Sequence, residues 1–86
     1  MPFHHSRRDR LQILVQILGL CKKPQFETRV MYEANLPYAD LRAYLIKLQE
    51  FNLLEVHYSK HRYSTTAKGI EFLQKLTEVP QSFIVK

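Results

Sequence analysis

Glycine is scarce in this chain: two in 86 residues, Gly19 and Gly69. That excludes the glycine-rich loops that cradle phosphates in nucleotide-binding enzymes. Cysteine is scarcer still. Cys21 stands alone, so no internal disulfide can form, which fits a reducing cytoplasm. No run approaches the roughly 18 consecutive apolar residues that a membrane span needs, although 45% of the chain is hydrophobic. The segment from Met1 to Arg8 lacks the apolar stretch of a secretory signal. Internal repeats, low-complexity tracts and Gly/Ser linkers are missing too. Acidic residues are in the minority. There are 13 Lys and Arg against 8 Asp and Glu, a net charge of +5, and a pI near 9.6. Such a balance favours polyanionic partners, nucleic acid first and an anionic membrane surface second. The length predicts one domain over 1–86, with a core over 6–79 and a tail over 80–86. A domain this small has a thin margin of buried area, which a second copy would improve.

What is present is periodic. Ser6 followed by Asp9 predicts a capped start to a first helix, with Leu11, Leu14, Ile17 and Leu18 on one apolar face. Lys22 and Lys23 suit its negative end, and Pro24 stops it. Gln25 to Glu27 reads as a short extended piece. Thr28 reads as the N-cap of a second helix over 29–34, with Val30, Met31 and Ala34 inward. A third helix is expected from about Pro37 to Phe51, with Leu41, Leu45 and Leu48 on its inner face and Tyr44 beside them. Asn35 and Asn52 both tolerate the left-handed backbone that ends a helix. Then the period changes to two. Leu54, Val56 and Tyr58 alternate with Glu55 and His57, a strand. Ser59-Lys60-His61 is a polar tip, and Arg62 to Thr65 returns. Thr66 reads as the N-cap of a last helix over 67–79, with Ile70, Leu73 and Leu76 inward. Gly69 reads there as a weak helix position, costing about 1 kcal/mol relative to Ala.

The break at Asn35-Leu36-Pro37 carries the functional reading. Two helices joined by a three- or four-residue turn describe a helix-turn-helix, whose second helix enters the DNA major groove. A hairpin just after that helix is where a wing would be. Leu36 fills the corner, and Pro37 starts the next helix with its backbone N–H groups open to phosphate. The outer face of this third helix is read as Tyr38, Ala39, Arg42, Ala43, Ile46 and Lys47. Two alanines let the backbone lie close to the groove floor. Arg42 would reach a guanine edge, Tyr38 a phosphate or thymine methyl, and Lys47 a phosphate. Lys60, His61 and Arg62 at the hairpin tip, with His57 beside them, would reach the minor groove or backbone. Arg7, Arg8 and Arg10 form a third basic cluster.

The pattern resembles the small winged helix-turn-helix transcriptional regulators common in archaea. The matching residues are Thr28-Arg29-Val30-Met31-Tyr32, Ala34-Asn35-Leu36, Tyr44-Leu45, Leu48, Asn52-Leu53-Leu54, Tyr63, Thr66, Lys68-Gly69 and Phe72-Leu73. The resemblance covers nearly the whole chain, from about residue 7 to 76. The resemblance implies an α+β winged helix-turn-helix: a three-helix bundle with a β-hairpin wing and a C-terminal helix. It also implies a homodimer that binds double-stranded DNA. Thr28 and Arg29 join the expected DNA contacts. The family often has Ser or Thr where this chain has Pro37, and Gly where it has Asn52. Both changes keep the backbone geometry, but Pro37 removes one side chain that would touch phosphate.

The dimer element expected is the last helix, alone or with helix 1 through Leu20; its residues are Phe72, Leu73, Leu76 and Val79, extended by Phe83 of the tail. His4, His5, His57 and His61 lack the ligand spacing of a metal site, so neither metal nor cofactor is expected. Cys21 reads as a small hydrophobe; its alternative role is a redox-sensing thiol, activated by Lys22 and Lys23. No nucleophile–base set or small-molecule cleft is evident, so no enzyme is expected. Two other functions fit the same fold: an architectural DNA binder without base readout, and a protein-interaction module that binds no DNA.

Overall fold

The computed structural model describes residues 9–57 and 61–77. Among them the elements run α1 (Arg10–Leu20), β1 (Gln25–Phe26), α2 (Glu27–Ala34), α3 (Tyr38–Glu50), β2 (Leu54–His57), β3 (Arg62–Thr65) and α4 (Ala67–Thr77). The order is the expected one. The boundaries differ in places, each for a physical reason.

Helix α1 starts at Arg10 with Asp9 as its N-cap; the expected cap, Ser6, lies outside the described residues. The Asp9 carboxylate accepts from the Gln12 N–H at 2.8 Å, and the Gln12 side chain accepts from the Asp9 N–H at 3.0 Å. This capping box satisfies two otherwise unpaired donors. The inner face of α1 is Ile13, Ile17, Leu18 and Cys21, all buried. Leu11, expected inward, is 48% exposed. Both rows of residues satisfy helical spacing. Packing against α2 and α4 selects the row that contains Ile13.

Helix α2 follows directly from a strand. Gln25 pairs with Tyr63 and Phe26 with Arg62, antiparallel. Phe26 therefore occupies the N-cap position, without a side-chain hydrogen bond, and Thr28 is not the cap. Strand pairing fixes the backbone just upstream and overrides the local capping preference of threonine. At the other end Asn35 adopts φ 54. Its N–H donates to the Tyr32 carbonyl and the Leu36 N–H to the Met31 carbonyl, each at 3.2 Å. A left-handed residue with reversed hydrogen bonds closes the helix and turns the chain through Leu36, which packs partly buried against the core.

Pro37 caps α3 with φ −63, the value its ring imposes. Leu41, Leu45 and Leu48 are fully or almost fully buried. Each such side chain contributes roughly 1.5–3 kcal/mol by leaving water. Asn52, at φ 61, ends the helix as Asn35 ends α2.

The sheet has the order β1-β3-β2, antiparallel throughout. Central β3 also closes the end of α1. The Thr65 N–H donates to the Cys21 carbonyl at 2.8 Å and its hydroxyl to the Leu18 carbonyl at 2.7 Å. Thr66 caps α4 as expected. Its oxygen accepts from the Gly69 N–H at 2.9 Å, while its hydroxyl donates to the Asn52 carbonyl at 2.7 Å. Leu73 is buried, and Ile70, Phe72 and Leu76 are half-buried. The expected continuation to Val79 and the tail over 80–86 lie outside the described residues.

Gly69 corrects the sequence reading. A Cβ there would run into the Leu53 carbonyl oxygen and come within 2.6 Å of Thr65 Cγ2. The glycine is not a weak point of α4. It is what lets α4 approach the chain leaving α3.

Candidate nucleic-acid interface

Because Leu41, Leu45 and Leu48 face inward, helical geometry turns Ala39, Ala43, Ile46 and Glu50 outward. All four are exposed. Tyr38 is 56% exposed and Ile46 46%. Asp40 and Lys47 flank one side of this face, and Arg42 and Gln49 the other. Ala43 and Lys47 also border a shallow groove of about 510 Å³ that reaches Arg10 and Tyr44. The first amides of α3 have no intrahelical partner, and Pro37 supplies no side-chain cap. That end of the helix is therefore a donor surface, tempered by the carboxylate of Asp40 in the same turn.

Arg42 differs from expectation. It does not stand free on the outer face. It lies half-buried on the flank toward the sheet, and its Nη1 donates to Glu27 Oε2 at 3.1 Å and to Tyr63 Oη at 3.2 Å. The contact joins α2, α3 and β3. The Glu27 carboxylate, followed by Tyr63, raises the pKa of Arg42 further. Burial is the larger influence on the Tyr63 phenol and raises its pKa, Glu27 adds to the rise, and Arg42 opposes it. These three side chains border an open groove of about 510 Å³ with Thr28, Gln49 and His61. Neither Glu27 nor Tyr63 stood among the expected site residues. Arg42 lies fifteen residues from Glu27 and twenty-one from Tyr63, so no local pattern announces the contact.

On the wing, His61 is exposed with φ 52. Arg62 is half-buried and lies over the Phe26 ring, 4.8 Å from its centroid. This cation–π contact draws Arg62 back to β1 rather than outward. Lys60, at the tip, lies outside the described residues. Thr28 is exposed at the groove. Arg29 is exposed and paired with Glu33 at 3.1 Å, one helical turn on. Arg10 is exposed; Arg7 and Arg8 lie outside the described residues.

Of the expected dimer residues, Phe72 packs partly into the core, Leu76 is half-buried, and Leu73 is 6% exposed. Leu73 thus belongs to the core of its own chain and leaves little for a partner. Val79 and Phe83 lie outside the described residues. Cys21 is fully buried, and burial pushes its thiol up to about 12. The neighbouring lysines do not activate it; desolvation of the thiolate dominates. Among the described residues no group of three or more His, Cys, Asp or Glu could hold a metal ion. No described helix is long and apolar enough to cross a membrane.

Helix, turn, helix and a following antiparallel hairpin, with a further helix packed behind, define a winged helix. The sequence itself agrees: a winged helix-turn-helix family model matches residues 7–82. The chain belongs to that family. Comparison with curated proteins finds no match.

Proposed function

We propose that this chain is a small transcriptional regulator of the kind common in archaea, acting in the cytoplasm as a homodimer on double-stranded DNA. Helix α3 lies in the major groove and the hairpin serves as wing. The observation that carries the reading is the outer face of α3. Ala39 and Ala43 are exposed between Tyr38 and Lys47, so small side chains meet the groove floor while a phenol and an ammonium reach its walls. The surplus of five positive charges supports the same partner. Two copies would set their α3 helices about 34 Å apart, one turn of duplex.

The test is fluorescence anisotropy with a random pool of labelled duplexes at several salt concentrations, followed by sequencing of the bound fraction. A steep salt dependence with an enriched, roughly palindromic motif is expected. A steep dependence without enrichment would replace this reading with an architectural one. Lys47→Ala is expected to weaken binding to all sequences alike and to flatten the slope by about 0.9, the loss of one phosphate contact.

One observation favours a protein-interaction module instead. Tyr38, Ala39, Ala43 and Ile46 form an exposed, largely apolar face on α3, and Arg42 beside it is already matched by Glu27. Absence of binding at low salt would make that the better reading.

A further inference from the structure

The groove between α3 and the wing has an arrangement of charge that DNA binding alone does not explain. Among its described lining residues Arg42 is the one guanidinium and Glu27 the one carboxylate. Thr28, Gln49 and His61 stand around them, each able to donate a hydrogen bond. A guanidinium ringed by hydrogen-bond donors in an open groove suits a phosphate oxygen. Yet an anion is already in place. Glu27 Oε2 sits 3.1 Å from Arg42 Nη1, and the Tyr63 oxygen takes the same nitrogen at 3.2 Å. The two hydrogens of Nη1 are thereby both engaged. Glu27 reaches Arg42 from the first turn of α2, where the helix end favours its negative charge.

We infer that Glu27 is a specificity-determining residue for DNA. Its carboxylate holds the place of a backbone phosphate on Arg42 Nη1, so that nitrogen joins the interface only when a duplex is held well enough by α3 and the wing to displace the carboxylate. This inference rests on the DNA-binding reading above. A loosely bound duplex meets a like charge at the groove and finds Arg42 Nη1 already taken. A correctly seated duplex brings a phosphate close enough to exchange with the carboxylate. Repulsion of wrong partners is how such a charge raises discrimination without adding affinity.

Glu27→Gln keeps the size and an acceptor oxygen but removes the repulsion. It is expected to bind random duplex about tenfold tighter than wild type, since like-charge juxtaposition is what it relieves. Its salt slope steepens by about 0.9, one added phosphate contact. The preference for the enriched motif over random DNA shrinks, and adding Arg42→Ala abolishes the gain. Equal or weaker binding by Glu27→Gln, with wild type still binding DNA, overturns the inference alone and leaves Glu27 as a strut between α2 and α3. Failure of both proteins to bind any duplex at low salt overturns the DNA reading and this inference together. A readout on unaltered protein guards against a folding defect in the variant. The Nη1 resonance of Arg42 is expected to shift with the enriched duplex and not with random duplex. A shift with both, or with neither, contradicts the exchange.

Discussion

Cys21 shows how one buried residue can fix a solution property. Its sequence context reads as a small hydrophobe, with a lysine-activated thiol as the alternative; the side chain has no contact with water, and its pKa rises from 9.0 to about 12. The unfolded chain loses this proton near 9, whereas the folded chain keeps it until about 12. Within that window the folded state binds more protons, so stability falls as pH rises from about 9 to about 12; below it, the thiol is silent. Urea midpoints measured on either side of pH 9 are expected to show this fall, and Cys21→Ala to reduce it. Native protein is also expected to resist thiol reagents until denaturant is added. Rapid labelling of the native state would place Cys21 at the surface and contradict its burial. Arg42 makes the same point about charge. Its sequence position suggests an outward reader, but its nearest anion comes from another helix.

At the scale of elements, the joints are the informative parts. Asn35 and Asn52 end α2 and α3 in the same left-handed conformation. Asparagine and glycine adopt it at little cost, whereas residues such as alanine pay roughly 1–2 kcal/mol. Asn52→Ala is therefore expected to destabilise by about 1 kcal/mol and Asn52→Gly to be near neutral, as read from thermal melts. Equal effects of the two would show that the side chain, not the backbone, matters there. Gly69 lies one turn into α4 under the Leu53 carbonyl. Gly69→Ala is expected to destabilise by at least about 1–3 kcal/mol, the cost of overpacking, despite alanine's better helix propensity. A melting temperature raised by Gly69→Ala would mean that α4 sits further from the chain leaving α3.

For the whole molecule, the question is what covers α4. Leu73 is buried in the core, so the apolar side chains that the described part of this helix leaves for a partner are the half-buried Ile70, Phe72 and Leu76. Leu76→Glu is expected to convert the proposed dimer to monomers in sedimentation, with the fold retained. An unchanged dimer would move the interface to α1 or to the chain beyond residue 77. Net charge is also a property of the whole: a surplus of five positive charges favours polyanions of any kind, whereas on the proposed reading α3 and the wing determine which surfaces meet them.

Much of this protein was legible in its residues because the relevant physics is local. Pro37 sets its own φ, the two asparagines tolerate a left-handed backbone, and Thr66 caps the helix beside it. The change from a period near 3.6 to a period of two at Leu54 marks where helix gives way to strand. Those facts determined the order of elements and the open face of α3. Tertiary structure decided what depends on distant partners. It chose Ile13 over Leu11 for the core, since both fit helical spacing and only the placement of α2 and α4 separates them. It moved the start of α2 to Glu27 because β1 pairs with β3. It tied Arg42 to Glu27 and Tyr63, and it made Gly69 a requirement. Each of these is a contact between segments separated by ten residues or more, and its energy has no counterpart in the local sequence.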